Sequence, residues 1–252
     1  METVGAIIQA RMTSTRLPGK VLLPVCGKPL LFYLVDRLQW SSEISQIIVA
    51  TSSNATDDPV ERFCEEEGVA CFRGSENDVL RRVLEAAEKF QLQNVMRLTA
   101  DCPLIDPEVL DAQVRFFYFH RVDYCYLGLS YPEGICADLM TFSALAQANK
   151  NAIEAHEREH VTPYLHSRRG VFKISGLENE SDDSKYRFVV DESSDFAVVS
   201  QILEALFKPD AKPFTMEDIK NFLDSRPEIA RLNENLVRNE KYDVFAANPS
   251  SS

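Results

Sequence analysis

Within ARMTSTRLPGK, residues 10–20, three cations (Arg11, Arg16 and Lys20) stand among small hydroxyl residues and a Pro18–Gly19 turn. A loop of that composition can wrap a polyphosphate, with backbone N–H groups facing the oxygens while Arg and Lys neutralise them. It is not a Walker A loop: Ser14 stands where the first glycine is needed, and Val21 where Ser or Thr would reach a metal. No G-x-G-x-x-G occurs either. The competing reading is a solvated basic loop.

Two aspartates follow apolar runs that read as strands: Asp101 in TADCPLIDP (99–107) and Asp191 in FVVDESSD (188–195). A carboxylate at the end of a strand is a common way to hold Mg²⁺ against phosphates, although capping and turn duty are the commoner uses of one Asp taken alone. Asp195, at the start of the next helix, reads as structural. Two strand-end aspartates and one cationic loop together point to Mg-assisted nucleotide chemistry. HEREH (156–160) satisfies the H-E-x-x-H zinc pattern, with His166 within reach as a third ligand. Its two central residues, Arg158 and Glu159, are charged, however, and Pro163 breaks the helix soon after, so a zinc hydrolase is the weakest reading.

Positioning these groups requires strand ends that share one edge. VGAIIQA, QIIVATS, VACFRG and NVMRLTA read as strands, and the segments between and after them as helices. Those helices carry Pro29, Pro59 and Pro107 at their starts, Asp caps before Pro59 and Pro107, and Gly68 as a stop. Alternation of this kind predicts βαβ units, a mainly parallel mixed sheet and an α/β, Rossmann-like fold. Ligands of such sheets sit at the carboxyl ends of the strands, which puts the cationic loop and Asp101 on one crevice. The second half is less regular. VDYCYLG, ADLMTFS, VFKIS and YRFVV are expected as strands; SALAQANKN, AIEAHEREHVTPYLH, SDFAVVSQILEALF and TMEDIKNFLDSRPEIARLNENL as helices, the last broken at Pro227.

The 252 residues are expected to form a single domain over 1–245, with an elaboration near 128–175 and a disordered tail over 246–252. A chain of this size buries about 70% of the surface its unfolded form exposes. The net charge of −12 argues against nucleic acid or an anionic membrane as partner, since those surfaces want clustered excess Lys and Arg. Six cysteines without C-x-x-C spacing read as reduced thiols. No signal peptide is visible and no apolar run reaches the ~20 residues of a membrane span, so a cytoplasmic location is expected.

The order of these pieces resembles the CTP-dependent sugar cytidylyltransferases, the group containing the CMP-3-deoxy-manno-octulosonate and CMP-acylneuraminate synthetases. Within it, the chain is most similar to the spore-coat polysaccharide branch. IIQARMTSTRLPGKVLLPVCGKPLL matches the family's N-terminal nucleotide loop almost throughout, and FRGSENDVLRR, RLTADCPLIDP, EREHVTPYL and RFVVDESSDFAVV follow in the family's order. The last resembles V-D-T-P-E-D-L, with Glu192 and Ser193 in place of Thr and Pro.

The resemblance implies Mg-dependent transfer of CMP from CTP to a sugar acid or related small acidic or phosphorylated acceptor, with release of pyrophosphate. It places Ala10, Arg11, Arg16, Lys20, Ser75 and Asp101 at the nucleotide, with Arg11, Lys20 and Asp101 in catalysis and Asp101 and Asp191 on Mg²⁺. Asp138, Glu157 and His160 would face the acceptor, in an arm that can also build a homodimer. Asp138 departs from the branch, which usually has Glu there, and this leaves the acceptor open. Two alternatives differ in kind. A nucleotide-sugar glycosyltransferase would favour a D-x-D motif, absent near Asp101; a non-catalytic nucleotide-binding module would bind CTP without releasing pyrophosphate.

Overall fold

The computed structural model of the chain describes residues 3–238. Strand β1 (Val4–Gln9) runs into the cationic loop, which ends in a 3-10 turn at Lys20–Leu22 and a small hairpin, β2 (Pro24–Val25) and β3 (Lys28–Pro29). Helix α1 (Leu30–Leu38), β4 (Ile44–Ser52), α2 (Asp58–Glu67), β5 (Ala70–Gly74), α3 (Val79–Lys89), β6 (Asn94–Thr99) and α4 (Pro107–His120) complete the first half. Then come β7 (Tyr124–Leu127), β8 (Asp138–Thr141), α5 (Phe142–Asn151), α6 (Ala155–His160), α7 (Pro163–His166) and β9 (Ile174–Leu177). Helices α8 (Ser193–Leu206), α9 (Met216–Ser225) and α10 (Pro227–Ala230) close the described chain.

One seven-stranded sheet has the order β5-β4-β1-β6-β8-β7-β9. β5, β4, β1 and β6 are mutually parallel, β8 runs antiparallel to β6 and β7, and β9 pairs parallel with β7. From β1 the chain steps outward to β4 and β5, then returns to lay β6 on the other side of β1. The carboxyl ends of β1 and β6 are therefore the topological switch point, where open α/β sheets leave a crevice. Period-two alternation builds a core on each face: Ala6 and Ile8 join one with α1, α4 and α8, while Ile7 joins the other with α3 and α5. Among the described residues, no helix is long and apolar enough to cross a membrane.

In the first half the elements fall within a few residues of the sequence reading. Asp106 caps α4 by accepting the Glu108 N–H, and Gly68 ends α2 in the left-handed conformation. The second half departs in three places. The helix expected over 152–166 is two short helices broken at Val161, whose φ of 71° turns the chain. The strand expected at VFKIS begins only at Ile174. The strand expected at 186–190 is an extended strap outside the sheet: Arg187 forms one isolated parallel bridge with Glu133, whose N–H donates to Tyr186 O and whose carbonyl accepts the Phe188 N–H, and Val190 N–H donates to Asp101 O. Its apolar run satisfied the strand pattern, yet beyond that one bridge it pairs with no strand of the sheet. Gly134, at φ 103°, lets it pass, since a Cβ there would come within 2.6 Å of Phe188 and Val189 backbone. The expected tail over 246–252 and the boundary at 245 lie outside the described residues.

Candidate active site

Lys20 opens the 3-10 turn behind Gly19, whose left-handed φ of 71° turns the chain inward. The buried Lys20 ammonium donates to Asp191 Oδ1 at 2.7 Å, Val190 O at 2.7 Å and Asp101 Oδ2 at 3.1 Å. Two carboxylates far apart in the sequence thus converge on one cation at the switch point. Burial alone would lower the Lys20 pKa, but the charges of Asp101 and Asp191 outweigh it and raise it. For Asp101, burial pushes upward; the Lys20 charge and bonds from Thr99, Lys20 and Cys102 win and hold the carboxyl below its ordinary range. Arg16 reaches the other oxygen of Asp191 at 2.7 Å from a half-exposed position.

Asp191 is fixed from behind. Fully buried Asp195 accepts the N–H groups of Asp191 and Glu192, both at 3.0 Å, and takes the Arg187 guanidinium on both oxygens. Arg187 also pairs with Glu133, and Asn233 donates to Asp195 at 2.9 Å. The structural role expected of Asp195 is thus a specific one: it holds the turn that presents Asp191.

On the other flank, Arg11 Nη1 donates to Glu76 O at 3.2 Å. Ala10 is buried and its N–H continues the ladder to Ala50 O. Ser75 serves its own turn, its hydroxyl accepting the Asp78 N–H at 3.1 Å and its carbonyl accepting from Arg82 at 2.5 Å. Arg16, Lys20, Asp101 and Asp191 are thus in direct contact with one another, while Arg11 is turned to Glu76 on the loop after β5.

The residues expected at the acceptor divide. Asp138, on β8, lies in a small open pocket bordered also by Arg97, Thr99, Tyr126 and Cys136. Cys136 lies 3.4 Å from Cys102, and Cys102 touches Asp101, so the pocket adjoins the carboxylate pair. A polar row crosses four strands at its floor. Gln9 accepts from Arg97 Nε at 2.8 Å; Arg97 donates to Asp138 Oδ2 at 2.7 Å; the Tyr124 hydroxyl donates to Asp138 Oδ1 at 2.5 Å and meets His166 Nε2 at 2.7 Å. Burial and the nearby Arg169 charge lower the His166 pKa to about 3, so the ring is neutral. The Tyr124 proton is committed to Asp138, so His166 Nε2–H donates to the phenol.

Glu157 does not face this pocket: its carboxylate accepts the N–H groups of Ile153 and Glu154 in the capping box of α6. HEREH therefore lies at a helix start, where its first Glu, Glu157, closes the capping box with Glu154. Among the described residues no group of three or more His, Cys, Asp or Glu side chains could hold a metal ion. His160 sits in the last turn of α6, with its carbonyl accepting the Thr162 N–H, and is not among the residues bordering the pocket.

Sequence reasoning missed Arg97, Tyr124, His166 as a hydrogen-bonding group, and Asp57. The signal for Arg97 was present: a lone cation in the apolar strand NVMRLTA must find a buried partner.

A profile of the cytidylyltransferase family matches residues 5–242. The chain is 36% identical over 249 residues to an uncharacterized protein of Methanocaldococcus jannaschii, covering 96% of this chain and 98% of that one. It is 35% identical over 211 residues to the spore coat polysaccharide biosynthesis protein SpsF of Bacillus subtilis, covering 81% and 88%. The solved structure of a cytidylyltransferase from Leptospira borgpetersenii superposes with a TM-score of 0.87 at 33% identity, over 94% of this chain and 99% of that one. A CMP:2-keto-3-deoxy-manno-octonic acid synthetase solved with CTP shares the fold, with a TM-score of 0.61 at 16% identity over 81% and 99%. The chain belongs to the cytidylyltransferase family and is a nucleotidyltransferase.

Proposed function

We propose that the enzyme transfers CMP from CTP to a small acceptor seated beside Asp138 and releases pyrophosphate, in the making of a surface polysaccharide or glycan. The observation that carries this reading is the Lys20 ammonium bridging Asp101 and Asp191, beside the cationic loop at the switch point. Arg11, Arg16 and Lys20 would bind the triphosphate. The relative of Bacillus subtilis, named for spore coat polysaccharide biosynthesis, supports the pathway class.

In the reaction, an acceptor oxygen, either an anionic one or a hydroxyl that gives up its proton to solvent, bonds to the α-phosphorus while the bond to the β-phosphate bridging oxygen breaks. Pyrophosphate leaves with that electron pair, and charge grows on the leaving oxygens. The protein's part is positioning and neutralisation, with no side-chain nucleophile. Lys20 and Arg16 would meet that charge, and the pocket at Asp138 would orient the acceptor.

Two carboxylates converging at a site already occupied by a cation fit Mg²⁺, a hard ion that takes one or two protein carboxylates and completes its shell with phosphates and water. Held by Asp101 and Asp191, it would screen the phosphate oxygens and polarise the α-phosphorus. The Arg97–Asp138 pair at the pocket suits an acceptor that carries both an anionic group and hydroxyls, such as a sugar acid.

The test is pyrophosphate release from each of the four nucleoside triphosphates with Mg²⁺ and a pool of sugar acids and phosphorylated small molecules. Release that needs CTP, an acceptor and Mg²⁺, and stops on chelation, is the expected result. Release with another triphosphate would overturn the base assignment; release without an acceptor would overturn transfer.

A further inference from the structure

Asp57 stands at the N-cap position of α2, yet its side chain makes no bond to that helix. It is fully buried, and its oxygens turn the other way: Oδ1 accepts the Met12 N–H at 2.8 Å and Oδ2 the Ser52 N–H at 3.1 Å. A carboxylate taken out of water keeps its charge only where donors replace its hydration. Burial pushes the Asp57 pKa up, but the bonds from Met12 and Ser52 outweigh it and hold the group below its ordinary range. The charge is therefore kept, and it is kept at the cationic loop.

What Asp57 grips is the fixed point of that loop. Met12 follows Arg11 directly, and the Met12 carbonyl accepts the N–H groups of both Ser14 and Gly19, at 3.1 and 2.9 Å. The loop thus folds around the Met12 residue, with one end gripped by Asp57 and the other closed onto Gly19, next to Lys20. Arg11 leaves from the same anchor and meets Arg82 at a shared acceptor, Glu76 O, at 3.2 and 3.3 Å. Arg82 is fully buried and its Nε and Nη2 have no hydrogen-bond partner. Burial and the like charge of Arg11 lower its pKa to about 10, while Asp57 opposes them. Two guanidiniums crowding one carbonyl are held in place against a single buried counter-charge.

We propose that Asp57 is a positioning residue for the triphosphate: by holding the Met12 peptide it fixes the direction of Arg11 and the closure of the loop onto Lys20. The inference rests on the nucleotide reading above. A ligand with all three phosphates depends on the loop's shape, whereas CMP, which lacks the β- and γ-phosphates, does not. A residue that merely supported the fold would affect both alike.

The experiment is calorimetric binding of CTP and of CMP, with Mg²⁺, to the full chain and to its Asp57→Asn and Asp57→Glu variants. Asparagine keeps the shape but turns an amide donor toward one of the two N–H groups; glutamate keeps the charge and misplaces it. Loss of charge-assisted bonds of this kind should weaken CTP binding about ten- to a hundred-fold. CMP binding should stay within about twofold. An equal loss for both nucleotides, or CTP binding unchanged in folded variants, overturns the proposal. If Asp57→Asn does not fold, Asp57→Glu carries the same comparison. Wild-type chain that binds neither nucleotide overturns the nucleotide reading and this proposal with it, an outcome distinct from any variant-specific result.

Discussion

The two flanks of the crevice are built on different principles. On the parallel side, the carboxyl ends of β1 and β4 are held through backbone N–H groups gripped by one buried carboxylate, Asp57 at Met12 and Ser52. Toward the antiparallel side, side chains hold one another in a row that starts on β1 and β6 with Gln9 and Arg97 and continues over β8 and β7 through Asp138 and Tyr124 to His166. A backbone grip tolerates changes of neighbouring side chains, because the donor belongs to every residue but proline. A side-chain row changes its reading with each member. The first suits a ligand part that stays the same, the nucleotide; the second suits a part that can differ between relatives, the acceptor.

The largest expected effect lies where the two flanks meet. Asp101→Ala should lower turnover on the order of 10³-fold, measured as pyrophosphate release; a variant within tenfold of wild type would remove Asp101 from the chemistry. Asp195→Ala strands Arg187 and frees the Asp191 turn, and should cost about 3 kcal/mol or more in denaturant unfolding, as broken buried ion pairs do.

The flanks should also part company in acid. His166 is held neutral with a lowered pKa of about 3, so the unfolded chain takes up its proton first. Stability from this group is complete above its unfolded pKa and is lost as pH falls toward the folded value, about 2 kcal/mol between pH 6.5 and pH 5. The lowered carboxylates Asp57, Asp101 and Asp195 begin to lose theirs only below about pH 4. His166→Gln should therefore flatten the unfolding free energy between pH 6.5 and 5 and leave the steeper loss below pH 4 unchanged. An unaltered profile would separate His166 from the pH response.

The smallest effect sharpens the comparison most. Asp138→Asn keeps the shape of the polar row and should leave CTP affinity within about twofold, while turnover with an acceptor falls about tenfold for loss of a charged hydrogen-bond acceptor. CTP affinity that falls along with turnover would mean that the two flanks are one site.

The same contrast explains what could be read in the sequence. Strands of five to nine residues and helices of nine to fourteen on the parallel side repeat their apolar positions often enough for periods of 2 and 3.6 to show. The cationic loop was legible because its residue types are unusual together. On the other side, β7, β8, β9 and α7 are four residues each, too short to display a period. The 186–190 strap satisfied the strand pattern without a partner strand. Asp57 was hidden by a position that already explained it as a helix cap, and Glu157 by a zinc pattern whose acid proved to cap its own helix.

Gly134 gives the strap a consequence of its own. The backbone of Phe188 and Val189 presses on the place where a Cβ would stand, and two residues further along the same strap lies the carboxylate that holds Lys20. A methyl group at position 134 would push against main chain that has no flexible side chain to give way. The displacement would travel along the strap to Val190 and Asp191, while the sheet behind it kept its packing. A loop glycine thus sets the register of the strap that presents Asp191, and a lesion there would mimic the loss of a charged residue it never meets.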